Sequence, residues 1–253
     1  VPKLRLVAFD LDDTLAPSKG QIDPRIAAQL RELLARVDVA IISGGNEAQF
    51  RDQVISQLQD ATAEELSRLH LLPTCGTRYL RYNNGDFDQL YALNLEPEQR
   101  DAAFAALREE AQALGLWEAE PWGEILEDRG SQVTFSALGQ QAPRDAKHAW
   151  DPDGKKREAL RAAVAPRLPG LEVRSGGSTS IDITREGIDK AFGMQELAKN
   201  TGIQFDEMLF YGDRLDEGGN DYPVLELGVP AIAVTSWEDT AEQLDALLGE
   251  LED

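Results

Sequence analysis

The stretch VAFDLDDTLAPS, residues 7–18, sets Asp10, Asp12 and Asp13 at the end of an apolar run. Burying like charges is costly unless they are paired, hydrogen-bonded or bound to metal, so the cluster asks for a cation or a reaction. An aspartate can attack phosphorus and divide one displacement into two through an aspartyl-phosphate. A carboxyl group two residues on can protonate the departing oxygen and then, as base, activate the next nucleophile. One Mg²⁺ would offset the repulsion, because this hard cation takes oxygen ligands, commonly one or two carboxylates together with phosphate. Asp213, in FYGDRLDEGGND, ends a second apolar run and is the distant partner for such a site; Asp216 and Asp221 are further acidic candidates. Ser43, at the tip of VDVAIIS, offers a hydroxyl, while Gly44 and Gly45 let backbone amides approach closely. Lys190, at the start of a predicted helix, offers the fixed cation that a transferring phosphoryl group needs.

Each of these residues also has a plainer reading. An acidic cluster such as 10–13 can cap a helix or hold a structural metal, although the ligand pattern of an EF-hand is absent. Asp or Ser beside Gly commonly forms turns, and Gly218 to Asp221 alone would be a loop followed by an N-cap. Lys190 on position alone suits a solvated surface lysine. His70 and His148 share no ligand spacing and are read as non-metal residues, and Trp117, Trp122, Trp150 and Trp237 as packing groups. The single cysteine, Cys75, excludes an intramolecular disulfide, fits a reducing compartment and reads as a buried bystander.

The elements that must position these groups alternate. LRLVAF (4–9) and VDVAII (37–42) read as strands of a parallel sheet covered on both faces, with a helix between them capped by Asp23 and opened by Pro24. Helices over 47–59 and 62–69 and a brief strand at Leu71–Leu72 follow. Near Tyr82 the pattern changes: Asn84-Gly85 signals a short turn, 87–93 has period two, and a helix runs over 97–114. Residues 124–138 hold a strand pair or one bent strand, followed by a helix at 153–165 and strands at 171–175 and 179–184. From Asp189 the first pattern returns, with strands at 208–212 and 230–234 among helices at 189–200, 221–227 and 238–249. The expectation is a split α/β core, 1–82 and 187–253, with a second domain inserted at 83–186; one larger sheet is the alternative. No P-loop or dinucleotide-binding glycine run occurs.

The chain of 253 residues has 46 acidic against 25 basic side chains, a formal net charge of −21. Such a surface argues against nucleic-acid binding and against docking on anionic membranes, both of which use Lys and Arg. It does not repel an anionic small molecule once a bound cation reverses the local sign. The apolar segment in VPKLRLVAFD is too short to span a bilayer and lacks the layout of a signal peptide, so a cytoplasmic location is expected. Oligomeric state is not legible.

The dispersed set resembles the haloacid-dehalogenase-like phosphotransferases: DLDDT at 10–14 is similar to their first signature, and Ser43, Lys190 and Gly212-Asp213 fall in the order of the other three. The resemblance implies a Rossmannoid three-layer core with a parallel sheet and an inserted α/β cap of the type II, subclass B kind. It implies Asp10 as nucleophile, Asp12 as general acid/base, and Ser43, Gly44 and Lys190 as the phosphate-binding set. It further implies Mg²⁺ held by Asp10, the Asp12 backbone carbonyl and Asp213, with Asn220 and Asp221 supporting the metal loop. SGG at 43–45, GGSTSID at 176–182 and GDRLDEGGNDYP at 212–223 resemble the phosphomannomutase branch, which implies that Gly45, Ser180 and Asp182 help bind a sugar phosphate.

Two departures stand out. Asp13 occupies the position after the second acid where the family usually has Gly. In the cap, VTFSALGQQAPRD carries Gln140 and Gln141 where phosphomannomutases place arginines that grip the distal phosphate, and Arg144 or Arg174 is the available substitute. A neutral amide lacks the charged fork of a guanidinium. The loss favours a phosphatase acting on a small phosphorylated sugar or polyol over a mutase, with a non-catalytic phosphosugar-binding module as the third reading.

Overall fold

The computed structural model describes residues 3–251. In chain order the first elements are β1 (Leu6–Phe9), α1 (Pro24–Leu34), β2 (Asp38–Ile42), α2 (Glu47–Gln53), α3 (Ala63–Leu66), β3 (Leu69–Leu72), β4 (Arg78–Asn83) and β5 (Asp86–Ala92). Next come α4 (Pro97–Ala113), β6 (Leu126–Asp128), β7 (Gln132–Ser136), α5 (Arg144–Trp150), α6 (Lys155–Val164), β8 (Leu171–Ser175) and β9 (Ser180–Arg185). The chain closes with α7 (Lys190–Thr201), β10 (Met208–Gly212), α8 (Tyr222–Glu226), β11 (Ala231–Ala233) and α9 (Trp237–Glu250). It divides into two compact units, 1–92 with 188–253, and 93–187.

The first unit is built on a seven-stranded sheet in the order β11-β10-β1-β2-β3-β4-β5. From β11 to β3 neighbouring strands are parallel, whereas β4 and β5 run antiparallel. Strand alternation sends Val7 and Phe9 into a layer with Ile26, Leu30 and Leu33 of α1 and Leu244 of α9. It sends Leu6 and Ala8 to the opposite layer, with Met194 and Leu197 of α7. Both faces of the central strands are therefore apolar, which is why LVAF reads as a continuous run. At the start of α1 the Asp23 carboxylate accepts the Arg25 N–H at 2.9 Å, and Pro24 occupies a first-turn position where its missing N–H costs nothing.

The second compact unit begins at 93, whereas the sequence pattern puts the start of the insertion at 83. The Asn84-Gly85 turn has φ of 49° and 99°, as a two-residue hairpin loop requires, and it folds β5 back onto β4 at the edge of the first sheet. The long helix expected over 47–59 stops at Gln53 and continues as a tight turn at Ile55–Gln57. Helix α5 has no apolar stripe and was not foreseen. Among the described residues no helix is long and apolar enough to cross a membrane.

The second unit is an antiparallel sheet in the order β6-β7-β9-β8. Val133, Phe135, Ile181 and Ile183 form its apolar side, packed with Ala103 and Leu107 of α4 and Leu160 and Val164 of α6. Trp117 and Trp150 border that core, Trp237 borders the core of the first unit, and Trp122 is the exposed one.

A buried polar knot closes the edge where β3 meets β4. His70 Nδ1 lies 2.6 Å from the Tyr79 hydroxyl and 3.0 Å from an Arg81 guanidinium nitrogen, while Nε2 lies 2.9 Å from Asp38 Oδ2. An arginine N–H can only donate, so Nδ1 accepts and Nε2 carries the proton that is donated to Asp38. Burial, joined by the Arg81 charge and opposed by Asp38, holds the His70 imidazolium below its ordinary value. The unfolded chain therefore takes up this proton first as pH falls. The stability that His70 contributes is complete above about pH 7 and is lost through the unfolded histidine value of about 6.5 toward the lower folded one. Urea unfolding at pH 7.5 and 5.5 should show a smaller acid-side loss in His70→Gln than in the wild type; equal losses in both proteins would exclude this role.

Candidate active site

Three adjacent strands, β10, β1 and β2, end side by side, and each delivers one polar group at its carboxyl end, the edge at which open α/β sheets bind ligands. Asp10 follows β1, Asp213 follows β10 and Ser43 follows β2. The pairing Phe9↔Tyr211 and Phe9↔Ile41 sets their level, and the Asp10 N–H continues the ladder onto the Tyr211 carbonyl at 3.0 Å.

Lys190 completes the centre. Its ammonium lies 2.6 Å from Asp10 Oδ1 and 2.5 Å from Asp221 Oδ1, with only 1% of the side chain exposed. The solvated-surface reading of this lysine is overturned: Asp189 caps α7 by accepting the Phe192 N–H at 3.0 Å, and Lys190, the first helical residue, is buried against the two carboxylates. Asp221 is itself fully buried, with Oδ2 accepting the Arg214 N–H at 3.0 Å. Glycine is needed at 212 because a Cβ there would stand 2.5 Å from that carboxylate oxygen.

Asp10, Asp213 and Asp221 each offer an oxygen within 4.8 Å of the other two. Burial, reinforced by Asp221 and Asp213, pushes the Asp10 carboxyl well up against the opposing pull of Lys190. Burial also raises Asp213, with Asp221 adding to it, while a hydrogen bond with Asp10 and the charge of Lys190 work the other way. Burial alone would depress the Lys190 ammonium, yet Asp10 and Asp221 together carry it above its ordinary value. Were all three carboxylates ionised against the one ammonium, two negative charges would be left for a divalent cation to balance; the all-oxygen donor set suits Mg²⁺. Asn220, in the loop before Asp221, is exposed, and Thr14 extends its hydroxyl to Asp213 Oδ1 at 3.4 Å.

Asp12 lies in the loop after β1. Its Oδ1 accepts the Lys19 N–H at 2.9 Å and Gln53 Nε2 at 2.9 Å. Gln53 is buried at the end of α2 and was missed in the sequence, where it looks like any polar residue on a helix. Asp13 has φ of 60°, the left-handed conformation that glycine adopts freely and Asp tolerates, which accounts for the family's usual Gly at this place.

Ser43 is buried, and its Oγ accepts the Gly45 N–H at 3.1 Å, curling the loop into a small ring. The turn at 74–76 braces that loop: Thr74 N–H donates to the Gly45 carbonyl and Cys75 N–H to the Ser43 carbonyl, both at 2.9 Å. Cys75, expected to be buried, is partly exposed at this turn with φ of 57°.

In the second unit, the sheet side away from α4 and α6 carries Gln132, Thr134, Ser136, Ser180, Asp182 and Thr184. Thr134 donates to Asp182 Oδ1 at 2.8 Å, and burial, opposed by Arg129, raises the Asp182 carboxyl. Arg174 pairs with Glu172 at 2.5 Å, and Arg144 is exposed at the start of α5 with Nε 3.4 Å from His148. The Gln140 side-chain nitrogen is buried and meets no acceptor.

The sequence matches the family model of eukaryotic phosphomannomutases over residues 120–250, more than half of the chain. It is 25% identical to phosphomannomutase 1 of Homo sapiens over 246 residues, which cover 94% of this chain and 90% of that protein. The phosphomannomutase of Encephalitozoon cuniculi is 25% identical, with 95% and 92% covered. Among solved structures, a haloacid dehalogenase-like hydrolase from Bacteroides thetaiotaomicron superposes with a TM-score of 0.67 at 17% identity, covering 97% of this chain and 100% of that one. The IMP-nucleotidase of Plasmodium falciparum gives 0.72 at 14% identity, with 97% and 62% covered; both likenesses concern the fold. Sequence and architecture agree: this phosphoryl-transfer enzyme, built on the haloacid-dehalogenase-like fold with an inserted cap, belongs to the eukaryotic phosphomannomutase family.

Proposed function

We propose that the protein is a magnesium-dependent phosphatase that releases phosphate from a small phosphorylated sugar or polyol. The observation that carries the choice of a hydrolase is Gln140. An uncharged amide, its nitrogen buried and without an acceptor, stands where the resemblance calls for an arginine on a second phosphate. A mutase must hold a bisphosphorylated species while it turns end for end; a hydrolase needs one phosphate and water.

In this reading an Asp10 oxygen attacks phosphorus in line, the ester P–O bond breaks, and the departing alkoxide takes a proton from Asp12. With Asp12 Oδ1 occupied by Lys19 N–H and Gln53, proton transfer falls to Oδ2. Water then attacks the phosphorus of phospho-Asp10, Asp12 accepts its proton, and the acyl phosphate bond breaks to restore the Asp10 carboxylate. Ser43, the Gly44 amide and Lys190 face the charge that develops on the phosphoryl oxygens. A divalent cation held by Asp10, Asp213 and Asp221 would supply the positive charge that keeps Asp10 ionised beside an anionic ester. The cap contributes Ser180 and Asp182, with Gly45, Arg144 and Arg174 as further substrate contacts.

The family model, which covers much of the cap, favours a second reading, interconversion of hexose 1- and 6-phosphates.

A panel of phosphorylated metabolites with Mg²⁺, assayed for both phosphate release and isomer formation, separates the two readings. Phosphate release from a sugar or polyol phosphate is expected, with phosphate found on Asp10 after a rapid quench and turnover abolished in Asp10→Asn. Isomer formation stimulated by a hexose bisphosphate would establish the mutase instead.

Gln140→Arg should restore a charged contact and tighten inhibition by a hexose bisphosphate by about tenfold, leaving hydrolysis of the monophosphate largely unchanged; unaltered inhibition removes Gln140 as the discriminating residue.

Millimolar Mg²⁺ should raise the Tm of the wild type by preferential binding to the folded state. Asp213→Asn relieves repulsion, so its metal-free Tm should rise while the Mg²⁺ increment disappears. An increment that survives the substitution places the cation elsewhere.

A further inference from the structure

Asp151 is a buried carboxylate remote in sequence from the strand-end cluster, and the phosphoryl-transfer chemistry makes no use of it. Its Oδ1 accepts the Lys156 N–H and its Oδ2 the Arg157 N–H, both at 3.0 Å. Oδ2 also accepts Arg157 Nε at 2.9 Å. Burial opposes ionisation of Asp151, yet the Arg157 and Lys156 donors carry its carboxyl below the ordinary value. The start of α6 thus holds an Arg157 side chain that is itself only 18% exposed.

The other end of that guanidinium leaves its own helix. Nη1 donates to the Gly177 carbonyl at 2.5 Å and lies 3.4 Å from the Gly176 carbonyl, on the turn between β8 and β9. This turn leads directly into Ser180 and Asp182. The Gly176 N–H donates to the Ser180 carbonyl at 2.8 Å, and a Cβ on Gly176 would stand 2.8 Å from Asp182 Oδ2 and 3.1 Å from Ser180 Cβ. The turn thus lies close against both side chains and is tied to Ser180 by that hydrogen bond.

We propose that Arg157 is a positioning residue for substrate recognition: by holding the Gly176 and Gly177 carbonyls it fixes the β8–β9 turn against Ser180 and Asp182 and so sets affinity for the part of the substrate remote from the transferred phosphoryl group. The inference rests on the reading of Ser180 and Asp182 as substrate contacts. A guanidinium is needed because one planar group must meet Asp151 and the turn carbonyls together; an ammonium keeps the ion pair and loses the second prong. Loosening the turn removes binding that ground state and transition state share, so KM should change and kcat should not.

The test compares Arg157→Lys and Arg157→Met with the wild type, in Mg²⁺, on the best substrate of the metabolite panel and on p-nitrophenyl phosphate. Amide hydrogen exchange over 176–180 and Tm are read in parallel. In Arg157→Lys we expect KM for the metabolite to rise about tenfold, with kcat and nitrophenyl ester turnover unchanged, faster exchange at 176–180 and a Tm close to the wild type. Arg157→Met, which also strips Asp151 of its partner, should lower Tm as well. Unchanged exchange in Arg157→Lys, unchanged KM despite faster exchange, or an equal loss of kcat on both esters overturns the proposal. A best substrate that is neither sugar nor polyol defeats the substrate reading above, while Arg157 is still judged by KM for that substrate. Turnover of the nitrophenyl ester alone defeats both.

Discussion

The centre depends on one ammonium between two carboxylates. Lys190 contacts Asp10 and Asp221 in a place almost closed to water, where an unpaired charge would be strongly penalised. Without it, three acids, Asp10 and Asp221 buried and Asp213 half-buried, would face one another beside the strand ends, and their repulsion would favour protonation still further. With it, a fixed positive charge opposes protonation of Asp10 and Asp213, and the oxygen cluster suits a divalent cation. The ion pair leaves the centre deliberately unfinished, and what completes it is a metal and an anionic ester.

The rest of the first unit is arranged around that constraint. Parallel pairing of β10, β1 and β2 brings three chain-distant loops to one edge of the sheet, so groups far apart in sequence become neighbours. Small residues let the parts close up. Gly212 admits the Asp221 carboxylate, and Gly193 on α7 lies against the turn at 74–76, where a Cβ would come within 2.9 Å of the Cys75 carbonyl. That turn also braces the Ser43 loop, so the hydroxyl and the ammonium share one support. In the second unit the strategy differs: an antiparallel sheet buries one side under helices and presents a row of hydroxyl, amide and carboxyl groups on the other.

How far the sequence could be read follows from the physics of each element. Strands buried on both faces, such as LVAF and DVAII, are continuous apolar runs and announce themselves. The edge hairpin was blurred because β5 is exposed and polar, so its period-two pattern looked like the start of the insertion. Helix α5, RDAKHAW, carries no apolar stripe and left no signal. Asp151 and Arg157 lie in a run of charges, DPDGKKRE, that reads as solvated surface; only the return of the β8–β9 turn to the start of α6 gives the arginine carbonyls to hold.

By itself the sequence determined the alternation of strands and helices, the acids at strand ends and the motif order that ties the chain to its family, because these are local patterns of polarity and spacing. The tertiary structure alone decided which charges are solvated and which are buried together. A lysine at a helix start is written identically whether it meets water or two carboxylates. The partner lies 180 residues away at Asp10 or 31 away at Asp221, and only the packing of α7 on the sheet brings it within reach.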